Sequence, residues 1–309
     1  MPQPVPSPAS QPEPGAFVAA EIASQPDVWL QAAELAASSA ALLPQAGERV
    51  AVVGCGTSAF IAQAYAAYRE SAGHGLTDAF VASEYPPTRS YDRLVAITRS
   101  GTTTEVLELL GSLPASQRTL AIVGDPSSPG ATAADDAILM PFADEKSVVQ
   151  TRFATSALSL LRAGLGHDVA ALSDQARNAL AAELPTGWEE FVQFVFLGRG
   201  AGVGLATEAG LKMREAAIAW AEAYPAMDYR HGPISLAEKH SLIWFLTEPP
   251  VGLVDQIRVT GASVETTVLD PQAELVRIQR TAIAIALRRG YNPDQPRNLT
   301  RSIVLDGEH

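Results

Sequence analysis

Twice in this chain, at Gly54 and again 144 positions later at Gly198, an apolar run enters a Gly-x-Gly turn and a helix-forming stretch leaves it. The two copies read Val52-Val53-Gly54-Cys55-Gly56 and Val195-Phe196-Leu197-Gly198-Arg199-Gly200. A strand with no polar face belongs inside a sheet covered on both sides, and parallel strands joined through helices supply that cover. Further short apolar runs at residues 94–97, 120–123 and 138–140 are bounded by Gly, Pro, Asp or Ser, as is the first at 49–53, and predict buried strands. Helical spacing over 59–70 and 105–110 separates them, giving right-handed βαβ units. In the second round, residues 242–246 take the place of 94–97, and 266–269 that of 120–123. The expected fold class is α/β, with two tandem doubly wound, flavodoxin-like domains divided near 168–184.

Residues 1–18 hold Pro2, Pro4, Pro6, Pro8, Pro12 and Pro14 among small polar residues, and are expected to be a disordered tail. A helix is predicted over 28–42, where Leu30, Ala33, Ala37 and Ala41 recur at helical spacing. The domains are then expected at 19–176 and 177–290, followed by a C-terminal tail, 291–309.

Lys and Arg number 22 against 34 Asp and Glu, a formal charge of −12 that repels polyanions. With no basic cluster to counter it, nucleic-acid binding is not expected. No apolar stretch of about 18 residues offers a membrane span. The N-terminus shows no basic segment leading into an apolar run, and the single Cys55 cannot form an intramolecular disulfide, so a cytoplasmic location is expected. His74, His167, His240 and His309 show no ligand spacing with one another or with Cys55; no metal and no cofactor are expected.

In so acidic a chain, a small anion must be held by local donors. Gly54-Cys55-Gly56-Thr57-Ser58 offers a tight turn, helix N-terminal amides and two hydroxyls, which suits a phosphate. It equally suits an ordinary turn whose Ser or Thr caps the helix. The second hydroxyl-rich corner is Thr98-Arg99-Ser100-Gly101-Thr102-Thr103-Thr104-Glu105. Thr102 and Glu105 fit a capping box, which leaves three hydroxyls and a guanidinium unexplained. Strand C-ends at a switch point face one crevice, so the two corners can share a ligand. Glu208, Lys212 and Glu215 stand at i, i+4 and i+7, on one helix face: either a solvated salt-bridge ladder or the wall of a site.

Together these blocks resemble the SIS-domain phosphosugar isomerases, and among them the isomerase half of glucosamine-6-phosphate synthase. The resemblance extends through Val148 to Arg152, Ala209-Gly210-Leu211-Lys212-Met213-Arg214-Glu215, Ala221-Glu222-Ala223-Tyr224, His231-Gly232-Pro233 and Asp294-Gln295-Pro296-Arg297-Asn298-Leu299, in the same order. It implies tandem SIS domains with five-stranded parallel sheets, a homodimer, and a sugar phosphate bound at the first domain. Carried over, the phosphate ligands fall on Ser58, Thr98, Arg99, Ser100 and Thr103, beside Thr57. The sugar would lie against Gly56, Val148, Gln150 and Thr300. Glu215 would shuttle the proton between C1 and C2, with Lys212 nearby. His231, donated by the neighbouring subunit, would assist ring opening.

Departures from the pattern are chemical. Arg99 stands where the synthase has glutamine, adding charge. Arg301 stands where the synthase has its Schiff-base lysine. A guanidinium stays protonated and makes a poor amine nucleophile, so Arg301 is expected to clamp substrate and close the tail instead. Gln150 and Arg152 replace the family's serine and lysine, so specificity at the sugar's carbonyl end is expected to differ. The 309 residues hold no glutaminase segment, and glutamine-driven amination is not expected. Two functions follow: aldose–ketose isomerisation of a 6-phosphorylated sugar through an enediol, with or without loss of a C2 amine, or a non-catalytic sugar-phosphate sensor. Retention of Glu215, Lys212 and His231 favours the enzyme, because a sensor needs only the phosphate cradle.

Overall fold

The computed structural model describes residues 12–305. β1 (Val50–Gly54), β2 (Thr77–Val81), β3 (Arg93–Thr98), β4 (Arg118–Val123) and β5 (Asp136–Leu139) form a parallel sheet in the order β2-β1-β3-β4-β5. β6 (Gln193–Gly198), β7 (Trp220–Pro225), β8 (Ser241–Phe245) and β9 (Ser263–Glu265) form a second, in the order β7-β6-β8-β9. The second order repeats the first without its last strand. Among the described residues, then, the second sheet has four strands, not the five that the family resemblance implied.

The helices are α1 (Ala16–Ser38), α2 (Thr57–Ser71), α3 (Thr104–Ser112), α4 (Arg152–Gly164), α5 (Val169–Ala181), α6 (Ala201–Ala217), α7 (Leu253–Val259) and α8 (Pro271–Arg288). α1 departs from expectation at both ends. It begins at Ala16, inside the stretch read as a tail, and stops at Ser38 rather than 42; residues 1–11 lie outside the described region. Pro26 sits buried within it, and the Ile22 carbonyl that the proline cannot serve accepts from Gln25 Nε2 at 3.4 Å instead. The expected division at 176/177 falls inside α5. The strand expected at 266–269 ends earlier, at Glu265, because Val268 is fully exposed and has no core to enter.

Every residue of β1 is buried, as are the apolar centres of β3, β4, β6 and β8. One continuous core runs from Val18 and Trp29 on α1, through Val52, Ile61 and Phe153, to Phe194, Trp244 and Leu275. Each large apolar side chain so buried contributes about 1.5–3 kcal/mol. The two sheets therefore share this core on one face, while Val53 and Leu94 of the first and Leu197 and Phe245 of the second pack into separate clusters on the other. The seam of the shared core is α2 against α6, where Gly204 brings the backbones together. A Cβ there would lie 2.6 Å from the Phe60 carbonyl oxygen and 2.7 Å from the Ala64 nitrogen, so any side chain would wedge the helices apart. The seam fixes the height of α6 over the first Gly-x-Gly turn.

Candidate active site

The two Gly-x-Gly turns have the same backbone shape. Gly56 has φ 53 and ψ −125, and Gly200 has φ 53 and ψ −128, a positive-φ conformation that glycine adopts without strain. Each turn ends a buried strand and starts a helix, so the N-terminus of α2, at Thr57, faces the turn, with the Ser58 amide donating to the Cys55 carbonyl at 3.1 Å. α3 starts in the same way after β3, its Thr104 amide donating to the Ile303 carbonyl at 3.2 Å. Its N-cap is Thr103, whose side chain makes no capping bond, and not the Thr102 of the expected capping box.

These corners converge on a crevice of about 190 Å³. Gly56, Thr57, Ser58, Thr98, Arg99, Ser100 and Thr103 line it from the first half, and Val148 and Gln150 from the following loop. Thr300 and Arg301 line it from the C-terminal segment, and Glu215 reaches it from α6 of the second half. The structure thus gathers all but two of the expected site residues. Lys212 lies one layer behind. His231 is exposed, on the loop after β7, and does not line this crevice.

The helix-face row is not a solvated ladder. Lys212 is 1% exposed and Glu208 is 1% exposed, whereas Glu215 keeps 21% of its side chain accessible at the crevice. Lys212 Nζ donates to Glu215 Oε2 and to Thr57 Oγ1 (3.1 Å), and lies 3.5 Å from Glu208 Oε1. Burial works against the Lys212 charge, but the Glu208 and Glu215 carboxylates outweigh it and hold its pKa above the ordinary lysine value. Glu208, with no hydrogen bond on either oxygen, is pushed up to about 7 by burial, with Lys212 partly offsetting. One ammonium therefore ties the turn of the first half to the carboxylate of the second.

The raised Glu208 has a consequence for stability. Its folded value lies above its ordinary 4.5, so the stability it confers is complete below about 4.5 and is lost as pH rises through about 7. Relative to Glu208→Gln, the natural chain should lose on the order of 1 kcal/mol per pH unit across that window. Denaturant titrations of both proteins at pH 5 and pH 7.5 measure this. A constant difference would mean that Glu208 does not titrate there.

Arg99 is not free. Its side chain is 4% exposed; it donates to the carbonyls of Ser147 (3.1 Å), Val148 (3.2 Å) and Arg301 (2.9 Å), and lies 3.7 Å from Glu145. Only Nε is left, buried and unpartnered. Glu145 is completely buried and accepts from the Thr151 and Arg152 amides at 2.7 Å each. Burial raises its pKa, with the Arg99 charge opposing. The expected cationic phosphate ligand is thus chiefly a brace joining the first corner, the 147–148 loop and the C-terminal segment. Arg301 departs similarly: its guanidinium bonds Asp144 Oδ1 (2.5 Å) and the Glu145 carbonyl rather than projecting free.

Several lining residues escaped the sequence reading as site groups. Glu105 was absorbed by the capping-box spacing, yet its Oε2 is buried without a partner at the crevice. Cys55 also lines it, and its thiol is pushed up to about 11, first by burial and then by the Glu105 charge, so it stays protonated at neutral pH. Ser302 and Ile303 line it too, and no periodicity marked them.

The SIS domain family matches residues 42–164, which hold the first sheet and both hydroxyl-rich corners. The isomerizing glutamine–fructose-6-phosphate aminotransferase of Pyrobaculum aerophilum is 30% identical, over 94% of this chain and 58% of that protein. The chain spans a little over half the length of the curated relatives it matches. Among solved structures, glucosamine-6-phosphate deaminase from Thermotoga maritima superposes with a TM-score of 0.77 and 25% identity, covering 93% of this chain and 99% of that one. The C-terminal domain of glucosamine-fructose-6-phosphate aminotransferase from Francisella tularensis superposes at 0.80 over 93% and 100%; at 20% identity it speaks to the fold alone.

Proposed function

We propose that this chain, which carries a SIS domain and is homologous to the isomerase part of glucosamine-fructose-6-phosphate aminotransferase, interconverts the aldose and ketose forms of a 6-phosphorylated hexose or hexosamine. One observation carries the reading: the Glu215 carboxylate, from the second half, lines the same crevice as the hydroxyls and helix N-termini of the first. The Ser58, Ser100 and Thr103 hydroxyls, at the N-terminal ends of α2 and α3, hold the phosphate at one end, and Thr98 shapes the second corner by accepting from the Gly101 amide at 3.2 Å. Gly56, Val148, Gln150 and Thr300 flank the sugar.

Glu215 then takes the proton from C2 of the open-chain aldose as O1 is protonated to give the enediol, and after partial exchange with solvent delivers it to C1 as the C2 hydroxyl loses its proton to give the ketose. No atom is gained or lost. Lys212 acts through Glu215, holding its carboxylate by a charged hydrogen bond. On a hexosamine the same shift makes an imine at C2, which water cleaves to the ketose and ammonia. His231, exposed on its loop, fits a role in ring opening only if a second copy brings it to the crevice, so the working unit would be a homodimer.

The test is a panel of C6-phosphorylated and C6-sulfonated hexoses and hexosamines, followed by NMR for isomer and for ammonium together. Isomer without ammonium marks an isomerase, and both together mark a deaminase. Binding without either product would make the protein a sensor and remove this reading.

A further inference from the structure

Two of the hydroxyls assigned above to the phosphate, those of Ser100 and Thr103, already have an occupant. Ser100 Oγ and Thr102 Oγ1 each donate to Ser302 Oγ at 3.0 Å, and Thr103 Oγ1 lies 3.4 Å from the same oxygen. Two donors and a third hydroxyl converging on one oxygen is the arrangement an anion oxygen would take. Ser302 is delivered there by contacts that do not involve its side chain. The Thr104 amide donates to the Ile303 carbonyl at 3.2 Å, the Leu305 amide to Thr104 Oγ1 at 2.9 Å, and Arg99 to the Arg301 carbonyl at 2.9 Å.

We propose that Ser302 sets the site's affinity for its ligand: its hydroxyl is the resident occupant of the anion cradle, and a phosphate must displace it to bind. The inference rests on the cradle assignment made under the proposed function. A phosphate oxygen carries charge and the serine oxygen does not, so the same hydroxyls bind the anion more strongly and exchange is favourable. The serine, however, is tethered, and its high local concentration makes it an effective competitor. Exchange also loosens the segment bearing Arg301, so ligand entry and the position of this wall are coupled.

Calorimetric titration of the full chain with inorganic phosphate tests this, comparing the natural protein with Ser302→Ala and Ser302→Thr. Removing the competitor should tighten phosphate binding by about threefold or more, the equivalent of one net hydrogen bond, and Ser302→Thr should return the affinity to near the natural value. Weaker binding in Ser302→Ala would make the serine a ligand donor, and unchanged binding would make it a bystander; either overturns the proposal. If the natural protein and Ser302→Ala both bind neither inorganic phosphate nor any sugar phosphate, the cradle assignment itself fails, which these arms separate from failure of the competition alone.

Discussion

Glu215→Gln is expected to lower kcat about a thousandfold, a mid-range value for loss of a general base, while the dissociation constant for the sugar phosphate moves by less than about threefold. The amide has the shape of the carboxylate but cannot take a proton. Affinity should persist because the phosphate ligands lie on α2, α3 and their preceding turns, whereas Glu215 comes from α6. Steady-state kinetics and calorimetry on one preparation separate the two effects. Retained turnover would move the proton transfer to another group; lost affinity would make Glu215 a binding residue.

Lys212→Met should produce the largest loss of stability. Lys212 is the cation between Glu208 and Glu215 and also donates to Thr57. Methionine fills a similar volume but leaves Glu208 buried without its counter-charge. Breaking a buried pair from one side costs about 3–5 kcal/mol, which in a chain of this size lowers Tm by roughly 5–8 °C. The penalty has a pH signature. Above about 7 Glu208 must be held charged or must take up a proton against the solvent, so the deficit should be larger at pH 8 than at pH 5.5. Adding Glu208→Gln should recover part of it. Thermal melts of the single and double variants at both pH values check this, and a deficit equal at both would show that charge is not its cause.

What was legible in the sequence depended on burial. β1, β3, β4 and β8 lie inside sheets with both faces covered, so their apolar runs stand out. β2, Thr77–Val81, is an edge strand, half-buried and carrying Asp78, and gave no such signal. β7 gave a block match, Ala221-Glu222-Ala223-Tyr224, but no strand pattern, for the same reason. The start of α1 was hidden by the prolines that crowd residues 2–14, yet its core-facing Val18 and Ile22 are buried.

At the site, spacing alone put Glu208, Lys212 and Glu215 on one helix face. Whether that face meets water or α2 is a tertiary fact, decided in part by Gly204. The braces of Arg99 and Arg301 depend on carbonyls more than 40 residues away in sequence, and no local pattern encodes them. Ser302 meets Ser100 across 202 positions for the same reason.

The central claim is that a carboxylate at one end of the crevice moves a carbon-bound proton of a sugar anchored by its phosphate at the other. Incubating the natural protein in deuterium oxide with the member of the substrate panel that binds, and following the sugar by NMR, tests it most directly. The account predicts deuterium at C1 or C2, appearing at a rate that Glu215→Gln abolishes. A sugar phosphate that binds firmly and keeps every carbon-bound proton would contradict it.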